Sequence, residues 1–265
     1  MNQLRSRRDH QPNRGLRAVA QAAASPALAI ICLAGSLAAS ASGASDPWIV
    51  LSNDLSGFRQ PTGFWYLAGG AKINPQNDRR LIGEPGRGVL INGKGGRTNN
   101  LITKQSWGDV EVSLEFMIPH HSNSGVKLEG VYEIQIFDSW RVAKPGGADC
   151  GGIYPRAEPH PYRHIDNGTP PLVNACKAPG QWQSFDIVFR APRFDRTGKK
   201  IANARFEKVV FNGKLIHRDA EVAHPTGAIW RDSEHPTGPL LLQADHGPVA
   251  FRNVRVRPLE PRHGS

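Results

Sequence analysis

The chain is poor in cysteine, with three in 265 residues. No two of them form a C-x-x-C pair, which removes the usual thiolate framework for a structural metal. No amphipathic helix is convincing beyond residue 44, and that stretch has neither an internal repeat nor a low-complexity tract. No apolar run reaches the roughly 20 strongly apolar residues of a membrane span. Dense basic runs are also missing. Lys and Arg outnumber Asp and Glu by 33 to 23, for a net charge of +10, yet they are scattered and never cluster beside stacking aromatics. That pattern argues against nucleic acid as a partner.

The first 44 residues have the order of an export signal. Arg5, Arg7, Arg8, Arg14 and Arg17 make a basic head, an apolar run from Ala27 to Ala39 follows, and small residues offer cleavage after Ala41 or Ala44. Basic, apolar and small-residue segments in that order direct secretion, so a periplasmic or secreted location is expected. Removing residues 1–44 takes away five Arg and one Asp and lowers the net charge from +10 to +6. The remainder fits a single domain over residues 46–260. Two cysteines stay in it, Cys150 and Cys176. In an exported protein such a pair is expected to form a disulfide, stabilising by about 3 kcal/mol in the chain-entropy picture. A catalytic thiol is the alternative.

Short alternating runs separated by Gly, Pro, Asn and Asp fill the rest. Asp109–Ile118 and Ser184–Arg190 alternate apolar and polar residues. Arg205–Phe211 and Lys214–His217 flank Asn212-Gly213, a strong hairpin signal. Pro239–Ala244 and Val249–Val256 are joined by Asp245-His246-Gly247-Pro248. The stretch Asn123–Trp140 reads as one strand, with Val126, Leu128, Tyr132, Ile134 and Ile136 on the core face and Lys127, Glu129, Glu133 and Gln135 on the other. Strands with turn signals and no helical crossovers imply an all-β fold, an antiparallel sandwich or jelly roll. Two long irregular segments, Ala143–Pro179 and Glu221–Thr237, exceed ordinary connections and are expected to be ordered and functional.

Six ordered blocks carry a family resemblance. They are T-K-x-x-W-G-D-V-E-V-S-L-E-F at Thr103–Phe116, N-S-G-V-K-L-E-G at Asn123–Gly130 and Y-E-I-Q-I-F-D-S at Tyr132–Ser139. P-G-Q-W-Q-S-F-D-I-V-F-R-A-P-R-F at Pro179–Phe194, F-N-G-K-L-I-H at Phe211–His217 and G-P-L-L-L-Q-A-D-H-G-P-V-A-F-R-N-V at Gly238–Val254 complete them. Together they make Trp48–Pro258 resemble the 3-keto-disaccharide hydrolase domain family. That resemblance implies a concanavalin A-like jelly roll and action on glycosides already oxidised at C3. The ketone acidifies the C2 proton; its removal gives an enolate that expels the group at C1, and water adds back. Such chemistry needs a base, a donor or cation for the enolate oxygen and an acid for the leaving oxygen. A lectin-like carbohydrate-binding module on the same fold is the alternative.

Candidate residues follow from side-chain type and strand parity. Glu133 is the preferred base or acid, with Gln135 beside it. A neutral amide at the second position argues against two-carboxylate hydrolysis along this strand. Asp245 and His246 form a carboxylate–imidazole pair at a strand end, suited to base chemistry or metal ligation, and a divalent cation is left open. Lys127 is placed to meet an enolate oxygen. Glu129, Gln243, Asp186, Arg190 and Trp140 are candidate sugar contacts.

Overall fold

Alternation of apolar and polar side chains sets the architecture. The computed structural model describes residues 48–260, so the segment read as an export signal lies outside the described residues. Within them there is no helix. The strands, in chain order, are β1 (Ile49–Val50), β2 (Tyr66–Asn74), β3 (Asn77–Ile91), β4 (Leu101–Trp107), β5 (Val110–Met117), β6 (Asn123–Leu128), β7 (Tyr132–Phe137) and β8 (Ala157–Pro159). They continue with β9 (Tyr162–His164), β10 (Gln183–Arg190), β11 (Arg193–Phe194), β12 (Lys200–Ala202), β13 (Ala204–Phe211), β14 (Lys214–Val222), β15 (Gly238–Leu242) and β16 (Ala250–Pro258). A large sheet runs β14-β13-β10-β5-β16-β3-β2, with β1 beside β16, and a small sheet runs β4-β15-β6-β7. Neighbouring strands are antiparallel. This is a β-sandwich of the jelly-roll type.

The core lies between the sheets. Phe116, Phe185, Phe206, Phe211 and Phe251 of the large sheet meet Val126, Leu128, Tyr132, Ile134, Ile136 and Leu242 of the small one, all fully buried. Phe185 and Phe211 pack with ring centroids 4.6 Å apart. Each buried side chain of this size contributes about 1.5–3 kcal/mol. On the outer face of the large sheet, Arg252 and Arg257 lie opposite Glu115 and Glu111 and pair with them.

The stretch read as one strand is a hairpin. β6 and β7 are joined through Glu129 and Gly130, both left-handed at φ 53° and 73°, and Val131 N–H donates to Leu128 O at 3.1 Å. Positive φ at two successive residues is the mark of a tight hairpin turn. The core parity of Val126 and Leu128 resumes at Tyr132 after Gly130 and Val131, which hides the reversal in the sequence. Glu129 therefore leaves the polar face. It lies beside a small interior space lined by Trp107, Val110, Val112, Leu128 and Leu240, where its Oε1 is buried without a partner.

Two further candidates lie on the wrong sheet. Asp186 and Arg190 alternate with buried Phe185, Ile187 and Phe189, so they project from the outer face of the large sheet. Arg190 is engaged by Glu207 at 2.7 Å and by Asp109 at 3.1 Å. Asp109 also takes Arg193 Nη2 at 2.6 Å and the Ala191 N–H at 3.0 Å. Burial pushes the Asp109 carboxyl up, but these donors outweigh it and hold it below the ordinary range. The role is structural: one buried carboxylate ties the start of β5 to the end of β10.

The two cysteines expected to pair lie against each other, with the Cys150 side chain hydrogen-bonded to that of Cys176. Cys150 is buried and Cys176 half-buried, both as free thiols. Burial first, then the neighbouring Cys176, pushes the Cys150 thiol up. The segment a bridge would pin is held by hydrogen bonds. Asn174 donates to Ser139 O and Val142 O, both at 2.8 Å, and Cys150 N–H donates to Ser139 Oγ at 3.0 Å.

Replacing Asp109 with Ala takes the shared carboxylate from Arg190 and Arg193 and leaves the Ala191 N–H without its acceptor. It is expected to lower stability by about 3 kcal/mol, measured by urea denaturation. Glu129 gives a pH signature. Burial chiefly, with Glu234 and Asp109 nearby, raises it from 4.5 to about 8. Between those values the folded chain holds a proton that the unfolded chain has released, so stability falls as pH rises. Glu129→Gln is expected to match the parent near about pH 4 and to exceed it above about pH 9, by at most about 5 kcal/mol. Thermal unfolding across that range measures the difference.

Candidate functional site

The outer face of the small sheet carries the polar residues. Lys127 and Glu133 are register partners across β6 and β7, with Nζ 3.1 Å from Oε2. The hairpin brings side by side two groups that a single strand would hold about 20 Å apart. Gly125 faces Gln135 in the next row, and Gln243 N–H donates to Gly125 O at 2.9 Å. A Cβ on Gly125 would fall 2.1 Å from Glu133 Oε1. The glycine is thus a notch into which the carboxylate folds.

Two long loops roof this floor. Segment 151–154 docks on the free edge of β7: Gly151 N–H donates to Gln135 O at 2.8 Å, Gln135 N–H to Gly152 O at 2.9 Å and Tyr154 N–H to Glu133 O at 3.1 Å. Thr226 Oγ1 accepts from Glu133 N–H at 3.2 Å. Covering the edge satisfies backbone groups that would otherwise invite another strand. It also leaves a cavity of about 230 Å³ lined by Lys127, Glu133, Gln135, Gln243, Asp245 and His246, with Asn100, Asn123, Tyr154, Tyr162 and Gly227 to Ile229 as walls. That is below the roughly 300–1,000 Å³ of drug-sized sites and suits about one sugar ring.

His246 and Asp245 sit on the β15–β16 loop, which crosses from one sheet to the other. Asn92, fully buried, clamps this loop: its Nδ2 donates to Gly247 O at 2.7 Å and Ala244 O at 3.2 Å, and its Oδ1 accepts from Val249 N–H at 2.9 Å. Asp245 Oδ1 lies 2.6 Å from His246 Nδ1. The bond to His246 holds the Asp245 carboxyl low, and the same bond holds the imidazole high. With Nδ1 committed, Nε2 is the nitrogen left for a ligand.

Glu133 is 3% exposed. Burial pushes its carboxyl up; Lys127 and then His246 pull against that, and Asp245 pushes with it. Beside it, Tyr154 Oη lies 2.9 Å from Tyr162 Oη and 3.1 Å from His164 Nε2. Burial and the Tyr162 hydroxyl push the Tyr154 phenol up, so it remains a donor at neutral pH. Gln135 Oε1 and Gln243 Oε1 are buried without hydrogen-bond partners. Buried carboxamide oxygens want donors, and a ligand bearing hydroxyl groups supplies them.

Six of the sequence candidates thus converge: Glu133, Gln135, Lys127, Gln243, Asp245 and His246. Glu129, Asp186 and Arg190 do not. Trp140 also falls outside the cavity lining; it is 39% exposed, with the Arg141 guanidinium stacked 4.0 Å from its ring. Sequence reasoning missed Tyr154 and Tyr162. Both lie in the long segment Ala143–Pro179, and they are two of only four tyrosines in the chain. Asn92 gave no signal, because a buried asparagine at a strand end looks like any turn residue. Among the described residues, no group of three or more His, Cys, Asp or Glu is gathered to hold a metal ion.

Comparison with known proteins adds the following. The family model described as the 3-keto-alpha-glucoside-1,2-lyase-like domain matches residues 47–257. A crystal structure from Parabacteroides distasonis, described provisionally as a glycosyl hydrolase, is 25% identical, with a TM-score of 0.57 over 81% of this chain and 84% of that one. Two further Parabacteroides distasonis structures with the same description are more distant. One is 21% identical, with a TM-score of 0.45 over 74% of this chain and 99% of its own. The other is 16% identical, with a TM-score of 0.47 over 80% and 94%. No curated protein matches.

The Gly125 notch is testable. Gly125→Ala is expected to shift Tm by no more than about 5 °C, because the flexible end of Glu133 gives way instead of backbone. The Lys127–Glu133 pair is expected to open beyond 4 Å, seen in a crystal structure of the variant; an unmoved pair would show that the notch is not needed.

Proposed function

The chain belongs to the 3-keto-alpha-glucoside-1,2-lyase-like domain family, and from that premise we propose that it is an exported carbohydrate-active enzyme cleaving 3-keto-glycosides by elimination. The observation that carries the reading is one buried carboxylate, Glu133, held beside one cation, Lys127, on a floor with two unpartnered carboxamide oxygens. The carboxamides accept sugar hydroxyls. The Glu133 carboxylate takes the C2 proton. The electron pair moves onto the C3 oxygen, where Lys127 and the Tyr154 hydroxyl meet the negative charge. The C1–O bond then breaks, its electrons leave with the aglycone oxygen, and His246 supplies a proton there from Nε2. Water adding across the resulting C1–C2 double bond completes net hydrolysis.

The pairing of Asp245 with His246 supports this over two-carboxylate hydrolysis. A retaining or inverting glycosidase uses its second carboxylate on the sugar or on a water. Here that carboxylate is bound to an imidazole, which makes it an orienting group. Raised Glu133 and lowered Asp245 also place a carboxylate made more basic beside one made more acidic.

Mass spectrometry of products from a 3-keto-disaccharide and from its unoxidised parent decides the point. Turnover of the 3-keto substrate alone is expected. Cleavage of the parent at an equal rate would sink the elimination route, and turnover of neither would leave a binding module. Glu133→Gln is expected to lower kcat by about 10²-fold or more while substrate affinity changes little. The pH–rate profile is expected to be bell-shaped. Its acid limb, from Glu133 losing its proton, lies above the ordinary carboxylate range. Its alkaline limb, from His246 losing its proton, lies above 6.5.

A further inference from the structure

A second cavity, larger than the one just discussed, lies on the other side of the loop that carries Asn100. It measures about 860 Å³ and opens where the β2–β3 hairpin meets the loop from Gly93 to Arg97. Phe64, Tyr66 and Leu81 form its apolar wall, and Phe64 is 77% exposed. Arg80, Lys94 and Arg97 supply three cations, and no carboxylate lines it. The Arg80 guanidinium donates to Gly95 O, which ties the hairpin to the loop and fixes that charge at the cavity wall.

The same loop reaches the Glu133 site. Arg97 lines the large cavity and Asn100 lines the small one. Three residues of extended chain span at most about 11 Å, so the two cavities are neighbours. Between them Thr98 N–H donates to Ala244 O at 3.0 Å, and Asn100 Oδ1 accepts from Ala244 N–H at 2.7 Å. The segment separating the cavities is therefore bonded to the strand end that carries Asp245 and His246.

We propose that this cavity binds the acidic units of a carboxylated oligosaccharide, a hexuronate-type chain whose reacting unit lies at Glu133. The placement of the reacting unit rests on the function proposed above; the binding itself does not. Sugar rings present apolar C–H faces to aromatic side chains, while carboxylates take paired, charge-assisted hydrogen bonds from guanidinium groups. A neutral glycan has no use for three cations lacking a facing acid. A lipid surface calls for a protruding apolar patch, whereas these residues line a concavity.

The probes are an unoxidised trigalacturonate, neutral cellotriose and phosphatidylglycerol vesicles. Isothermal titration at low salt reads the sugars with the parent chain, with Lys94→Ala/Arg97→Ala and with Glu133→Gln. Trigalacturonate is expected to bind the parent, to bind more weakly as salt rises and to lose about tenfold or more in affinity in the double variant. Glu133→Gln is expected to keep that binding, and Lys94→Ala/Arg97→Ala to keep the parent Tm. No trigalacturonate binding, equal binding of cellotriose, an unaffected double variant, or vesicle binding through Phe64 in its place would each overturn the proposal. Because no turnover is read, a chain inert towards 3-keto-glycosides can still bind uronate. A chain that turns over neutral 3-keto-disaccharides yet ignores uronate refutes this inference alone.

Discussion

A carboxylate taken almost wholly out of water has to be compensated, and the Glu133 region is built around that requirement. Transfer of an unpaired charge into a protein interior is prohibitive. The compensation here comes from three sources. Lys127 supplies the opposite charge across the hairpin. Gly125 supplies the space by having no side chain. The His246–Asp245 pair supplies a field of mixed sign at the rim. The hairpin register is what joins them, because a one-residue slip of β7 would turn Glu133 into the core, away from Lys127 and the Gly125 notch, and Ile134 out of it.

The sandwich serves this arrangement by leaving one face of a four-stranded sheet available. Its inner face is committed to the aromatic core. Its outer face would be a plain solvated sheet without the two irregular segments that close over it. These segments hydrogen-bond along the edge of β7. Edge protection and site formation are thus the same contacts. The Asn92 clamp plays the matching role on the far side, where the chain passes between sheets and a free loop would let His246 drift from the cavity.

Much of this was legible in the sequence. The core face of β6 and β7 follows from strand parity, and Val126, Leu128, Tyr132, Ile134 and Ile136 are all buried. Asn212-Gly213 announced its hairpin, and the Asp245–Pro248 loop was found as the join between two strands. What was hidden has physical reasons. The Glu129-Gly130 turn preserves the parity of the core positions on either side of it, so it imitates an unbroken strand. β2 and β3 carry five glycines and a proline and are bulged, which erases their periodicity. Arg190 and Asp186 share a face, as parity requires, but parity does not say which sheet face meets a ligand. The roof tyrosines belong to a segment whose path is fixed by long-range contacts, hydrogen bonds to β7 and the burial of Ile153 among them.

One carboxylate and one cation at contact distance form a different device from two carboxylates. Two acids across a glycosidic bond stabilise positive charge building on the sugar ring. A lysine nearby would oppose that charge. Negative charge building on a carbonyl oxygen is what Lys127 can stabilise, and the proton that must leave for it to build is one that Glu133 can take. In the proposed elimination, Glu133 on taking that proton would stop being the partner of Lys127, and the ammonium would be released to the developing enolate at the moment it is needed. On that reading the ion pair seen at 3.1 Å is the resting state of a relay whose two members change partners together.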